Sequence, residues 1–177
     1  LGLPSGTKWA CCNVGATTPE GYGDYFAWGE TEKKEKYDWT TYIHCDGSIE
    51  TCHDLGSDIA GTKYDVAHVQ WCSSWVMPSQ DQIKELCSKC SYIWTIKNNS
   101  GGVLFTGPSG ATIFLPEVNE WREGRHNSAG RNFFNDGLQS ETDPLPDNGY
   151  YWSSTQRVSN LGQAVTGDGS CDHFSSE

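Results

Sequence analysis

Trp71-Cys72-Ser73-Ser74-Trp75-Val76-Met77-Pro78-Ser79-Gln80-Asp81-Gln82-Ile83-Lys84-Glu85-Leu86 is the stretch from which the rest of the chain can be read. Pro78 ends whatever precedes it, because its ring fixes φ and pushes the residue before it into extended backbone. Ser79 then stands as a helix N-cap, and Gln82, three residues on, completes a capping box. Ile83, Leu86, Cys87 and Cys90 recur at helical spacing and give that helix one apolar face.

Working outward, 177 residues with eight Trp, eight Tyr, six Phe and twenty Gly describe one domain, residues 1–177, with an aromatic core and many loops. Mean hydropathy is low at −0.60, yet the aromatics argue against disorder. No run of residues is long and apolar enough to span a membrane, so no membrane insertion is expected. The net charge of −11 repels polyphosphates and disfavours nucleic acid, sulfated glycans and anionic membranes. It suits neutral or cationic partners, or divalent cations. Eight Cys point to an oxidising compartment, and a start at Leu-Gly-Leu reads as a mature or excised piece of a longer precursor.

Along the chain, Leu3-Pro4-Ser5-Gly6 predicts a turn, Lys8-Trp9-Ala10 a short strand, and Thr17-Thr18-Pro19-Glu20 a helix start. Glu30 to Lys36 is a mixed charge run, expected as a solvated loop, and Tyr37 to Ile43 is expected to be extended. Tyr64 to Trp71 predicts a short helix capped by Asp65. Tyr92 to Ile96 is a strand, Asn98 to Gly102 turns the chain, and Gly107-Pro108-Ser109-Gly110 joins strands at Val103–Thr106 and Ala111–Leu115. From Glu117 to Asn148 periodicity disappears and Asn, Gly, Arg and Asp dominate; long irregular stretches of this kind are often functional. Gly149 to Thr155 restores a strand, and Ala164-Val165-Thr166 suggests another.

Four of these segments together resemble the FISUMP domain family (the "Fibrobacter succinogenes major paralogous domain"), a C-type-lectin-like fold distantly related to formylglycine-generating enzymes. The matching segments begin with Leu3-Pro4-Ser5-Gly6…Trp9-Ala10…Cys12-Asn13-Val14-Gly15-Ala16, followed by Tyr22-Gly23-Asp24-Tyr25-Phe26-Ala27-Trp28-Gly29-Glu30. The others are Tyr64-Asp65 with Ala67 leading to Trp71…Met77-Pro78-Ser79, the Thr106-Gly107-Pro108 hairpin ending in Phe114-Leu115-Pro116, and Tyr151-Trp152-Ser153-Ser154-Thr155. The likeness runs from about Leu3 to Thr155, and the family's closing strand near Arg-Pro-Val is missing. It implies an α+β fold with two helices, a small antiparallel sheet and long disulfide-pinned loops. It also implies that Trp71, Trp75 and Trp152 are mostly buried framework residues. Cys12 and Cys90 occupy family-like positions for structural disulfides, while the partners of Cys11, Cys72, Cys87 and Cys171 stay open. Related domains vary their C-terminal loops through diversity-generating retroelements.

The candidate chemistry is sparse. Cys45 and Cys52 close a short loop and are expected as a disulfide. The flanking His44 and His53 leave a tetrahedral zinc site as the alternative, disfavoured because neighbouring side chains on one strand alternate. Cys87-x-x-Cys90 lacks a redox setting. No nucleophile elbow, phosphate loop or His-Glu-x-x-His is present, and no carboxylate pair stands out for glycoside hydrolysis. The copper-binding Cys pair of formylglycine-generating relatives is disfavoured, because Cys171 is the only Cys after Cys90 and a pair could form only across a long separation. Structural calcium is the cofactor to consider: Asp136, Asp143 and Asp147 lead a set of carboxylates in the loop-rich half, with Glu141, Asp168 and Asp172. Phe134-Asn135-Asp136 partly echoes the Trp-Asn-Asp of calcium-dependent lectins.

Ligand binding is expected at Arg122, His126, Asn127, Arg131, Asn132, Asn135 and Asp136, a polar group whose planar, multidentate side chains suit sugar hydroxyls or backbone groups of a protein partner. The expected function is therefore a non-enzymatic recognition or adhesion module, extracellular or on a bacterial cell surface, with a glycan or protein ligand. A self-associating structural subunit of a surface filament or phage fibre is the alternative, and an enzyme of the formylglycine-generating type is a further one.

Overall fold

The computed structural model describes residues 1–48, 51–116 and 151–156, with the backbone of four two-residue strands named below. Two helices and a three-stranded antiparallel sheet make up its regular structure, an α+β arrangement.

Helix α1 (Val66–Gln70) starts where Asp65, in extended backbone, accepts a hydrogen bond from the His68 N–H. Helix α2 (Gln80–Lys89) begins with the predicted capping box: Ser79 Oγ accepts from Gln82 N at 3.3 Å, and Ser79 N donates to Gln82 Oε1 at 2.9 Å. Asp81 in the first turn and Lys89 in the last complement the helix dipole. Ile83 and Leu86 are buried, and with Cys90 they join Leu3, Val103 and Phe105 in one core.

The sheet runs β1 (Ser91–Lys97), β2 (Ser100–Thr106), β3 (Thr112–Pro116), in that spatial order. Lys97 pairs with Ser100, so the first hairpin closes through Asn98 and Asn99 alone, and Ser100, Gly101 and Gly102, expected in the turn, pair within β2 instead. Asn98 and Asn99 both have positive φ, 48° and 65°, as a two-residue hairpin turn requires, and Asn tolerates that region better than most residues. The second hairpin sets Thr106 opposite Thr112. At its turn Gly107 passes so close to the Leu1 carbonyl that a Cβ there would overlap it. Ser109 N donates to that same carbonyl at 3.0 Å, tying the N-terminal residues to the hairpin. Ser5 holds the opposite side, donating to Glu85 of α2 from its N–H at 2.9 Å and its hydroxyl at 2.5 Å.

A second core gathers Trp28, Ile59, Val66, Ala67 and Met77, and a third gathers Ala27, Tyr37, Tyr42 and Cys45. Two short hairpins complete the described elements: β4 (Trp121–Arg122) pairs with β5 (Arg125–His126), and β6 (Arg157–Val158) with β7 (Val165–Thr166).

Several expectations are corrected. Lys8-Trp9-Ala10 is irregular rather than a strand. Thr18 to Gly21 is a β-turn, closed by Gly21 N to Thr18 O at 3.0 Å, with Pro19 at its second position; Pro presets φ equally for a turn and for a helix start. Tyr37 to Ile43 folds into a turn because the Asp38 side chain captures Thr40 Oγ1 and Thr41 N. The Tyr151–Gln156 segment forms an isolated bridge, Asp58 with Thr155, instead of a strand. Trp71, Trp75 and Trp152 are half-buried, and the buried Trp is Trp28, at 2% exposure.

Candidate functional site

The site is defined by how the framework holds the two ends of segment 117–150. The segment leaves at Pro116, the buried last residue of β3, and returns at Tyr151, whose hydroxyl donates to the Pro116 carbonyl at 2.7 Å. The returning residues are then stitched down one after another. Trp152 Nε1 donates to Phe26 O at 3.0 Å, and Trp28 Nε1 donates to Ser153 O at 3.0 Å. Ser154 N donates to Pro78 O at 2.9 Å, Ile59 N to Ser154 O at 3.0 Å, and Gln156 N to Ser57 O at 2.9 Å. Thr155 Oγ1 accepts from Gln80 N, in the first turn of α2. Ser153 and Ser154 are fully buried, which small side chains allow where two backbones approach this closely. Each Trp fills apolar space with its ring and satisfies its one donor on a backbone carbonyl.

Of the expected ligand-binding residues, Arg122 lies in β4 opposite Arg125, and His126 lies in β5 opposite Trp121. Asn127, Arg131, Asn132, Asn135 and Asp136 lie outside the described residues, as do the calcium candidates Asp136, Asp143 and Asp147. Among the described residues, no three His, Cys, Asp or Glu side chains converge to hold a metal ion.

Cys45 and Cys52 form the expected disulfide, with Cα atoms 4.0 Å apart. Their sulfurs are bonded to each other and so are not zinc ligands. His44 is buried, its Nε2 within 2.9 Å of the Gly29 carbonyl and its ring edge-on to Tyr42 and Tyr64. Cys12 and Cys90 carry thiols, against their expected disulfide role. Burial raises the Cys90 thiol above its ordinary value, as desolvation disfavours a thiolate. Exposed Cys72 is shifted the other way, because the Ser74 hydroxyl lies 3.0 Å away.

Two charged groups of the framework were not legible as such in the sequence. Asp65, fully buried, is more than a helix cap. Its carboxylate accepts from Gly61 N at 2.8 Å, His68 N at 3.0 Å and Met77 N at 3.0 and 3.2 Å. It thereby joins the approach to α1, α1 itself and the irregular stretch that enters Pro78. The second is Glu30, 4% exposed although it opens the charge run expected to be solvated. It grips Lys34 at 2.6 Å, and Lys34 Nζ also donates to Thr41 O and lies 5.5 and 5.9 Å from the Tyr37 and Tyr42 ring centres. Burial, and then the Glu30 charge, pushes the Tyr42 hydroxyl well above its ordinary range. Pairing and ring contacts make burial of this charged pair tolerable. No sequence period announces it, since Glu30 and Lys34 sit in a loop.

No protein-family model, curated protein or solved structure matches this chain.

Proposed function

We propose that this chain is a non-enzymatic recognition module of the C-type-lectin-like kind, a relative of the FISUMP domains, working outside the cell or on a bacterial surface. Its ligand is a glycan or protein, taken up by the loops from Asn119 to Asn148, with the segment after Thr155 beside them, through Arg122, His126, Asn127, Arg131, Asn132, Asn135 and Asp136. One observation carries the reading: the hydrogen bond between Tyr151 and Pro116 joins the two ends of segment 117–150 on a packed framework. A rigid scaffold that closes the base of an irregular polar segment is a common way to build a binding surface. The Cys45–Cys52 disulfide supports an oxidising location. A net charge of −11 favours neutral or cationic ligands over anionic ones. Structural calcium on Asp136, Asp143 and Asp147 belongs to the same proposal, since hard oxygens on loops suit that ion.

The experiment is a glycan and protein array, followed by joint replacement of Arg122, Arg131 and Asn135 with Ala. Loss of binding with an unchanged melting temperature supports the site. Unchanged affinity places it elsewhere. Calcium dependence is read by repeating the array with a chelator.

A second reading, a structural subunit that self-associates, draws on one specific observation. Among the described strands β1 lies at the edge of its sheet, carrying Ile93 and Ile96 at 62% and 73% exposure, with no charge before Lys97. Uncharged, apolar edge strands are the ones prone to pair with another chain. Sedimentation at native concentration separates the readings: a monomer that binds on the array favours recognition, and a concentration-dependent polymer favours the subunit. Copper content and turnover assays test the enzymatic alternative of the formylglycine-generating type. Among the described residues no helix is long and apolar enough to cross a membrane.

A further inference from the structure

We propose that Cys11 and Cys12 are a redox modification site, closing a disulfide between neighbouring residues when they meet a small-molecule disulfide of the glutathione class. The two Sγ atoms stand 4.0 Å apart, in van der Waals contact, so side-chain rotation and a modest twist of one peptide bring them to bonding distance. Cys11 is exposed and open to reagents, and Cys12 is half-buried. Cys12 Sγ also lies 3.4 Å from the Ala16 carbonyl, which holds it in place beside Cys11.

The backbone permits the twist. Cys11 and Cys12 belong to neither a helix nor a sheet ladder. Among the described residues, neither the Cys11 carbonyl nor the Cys12 N–H takes part in a backbone hydrogen bond. The nearest such bond, Ala16 N to Asn13 O at 2.9 Å, begins one residue later and can remain closed. Rotating this peptide therefore breaks no backbone pairing among the described residues, where the same change inside a strand would orphan two groups.

The reaction balances as ordinary thiol–disulfide exchange. The Cys11 thiolate attacks one sulfur of the small disulfide, forming a mixed disulfide and expelling one thiolate. The Cys12 thiolate then attacks Cys11 Sγ, forming the Cys11–Cys12 bond and expelling the second. Two protein thiols lose two electrons and two protons, and the small disulfide becomes two thiols. The order follows from exposure. Cys11 is the exposed thiol and meets the reagent first, while burial, and then its neighbour Cys11, holds the Cys12 thiol above its ordinary value.

A disulfide between neighbouring residues closes a small ring through a single peptide unit, whose planarity and bond angles it must bend. The ring is therefore strained, and strained disulfides are the more easily reduced ones. The pair should open at a less reducing poise than Cys45–Cys52, which makes it responsive where the other is structural.

The test uses the whole chain, equilibrated in a series of oxidised and reduced glutathione buffers, quenched by alkylation and cut with trypsin. The peptide Trp9–Lys33 contains Cys11 and Cys12 and no other Cys, and Tyr37–Lys63 contains only Cys45 and Cys52. In oxidising buffer the first peptide is expected unalkylated and uncrosslinked, lighter than its dithiol form by about 2 Da, the two hydrogens lost in exchange. As the poise becomes more reducing, it should acquire two alkyl groups before the second peptide does. In Cys11→Ser the remaining Cys12 should be alkylated or carry one glutathione. Two alkyl groups on Trp9–Lys33 at every poise would overturn the proposal. So would its crosslinking to a peptide containing Cys72, Cys87, Cys90 or Cys171, or reduction in step with Cys45–Cys52.

Discussion

Asp65 is the residue whose replacement should be felt furthest. Both its oxygens are in use: Oδ1 accepts from His68 N and Met77 N, and Oδ2 from Gly61 N and Met77 N. Asp65→Asn keeps the shape but turns one acceptor into a donor, which then faces a backbone N–H. One N–H is orphaned and one charge-assisted bond becomes neutral, a loss of about 2–3 kcal/mol. Asp65→Ala orphans all three N–H groups in a site with no exposure, leaves a small void, and should cost about 4–5 kcal/mol. Single domains are stable by roughly 5–15 kcal/mol, so the Ala variant should sit near the edge of folding while the Asn variant remains folded. Urea denaturation followed by Trp fluorescence measures both. Because Val66, Ala67 and Met77 share the core with Trp28, the loss should appear as a lower midpoint with little change in slope. An Asn variant within about 0.5 kcal/mol of the parent protein would refute the reasoning, since buried N–H groups left unpaired cannot be that cheap.

Trp28→Ala should cost about 3–5 kcal/mol and more than Trp152→Ala, because Trp28 is the more buried ring; equal losses in thermal melts would count against this ranking. Tyr151→Phe should lose only about 1 kcal/mol of stability with its hydrogen bond to Pro116 but raise protease cleavage within 117–150, as read by limited proteolysis. Asn99→Gly should stabilise by a few tenths to about 1 kcal/mol in chemical denaturation, since residue 99 has a φ of 65° that Gly adopts without strain. Glu20 is held below its ordinary value of 4.5, first by the hydrogen bond from Asn98 and further by Lys97. Its contribution to stability is therefore present above that pH and lost as pH falls through the lower folded value, and Glu20→Gln should flatten the acid side of a melting-temperature profile.

Local structure was legible wherever neighbouring residues decide it. The Ser79 and Gln82 capping box, the Asp65 cap, a turn beginning at Asn98 (though read too long, to Gly102) and the Gly107–Gly110 turn each depend on groups within a few residues of one another. The apolar face of α2 is likewise a matter of spacing, and Ile83, Leu86 and Cys90 meet in the core as read. The Cys45–Cys52 bond belongs here too, since a short intervening loop brings its ends together. The misread segments are those where a local signal fits two outcomes. Pro19 presets φ for a helix start and for a turn alike, and Tyr151 to Thr155 has strand composition but only one bridge partner, Asp58.

What the order of residues could not disclose is what distant segments do to one another. Tyr151 finds Pro116, Trp28 finds Ser153 and Trp152 finds Phe26 only once the chain has folded, and these contacts hold the ends of segment 117–150 together. Burial of Glu30 and the threefold use of Asp65 are tertiary in the same way. Periodicity and capping report the energies of neighbours along the chain. A buried donor or charge is satisfied by whichever group the packed fold places within about 3 Å, and only the three-dimensional arrangement determines which group that is.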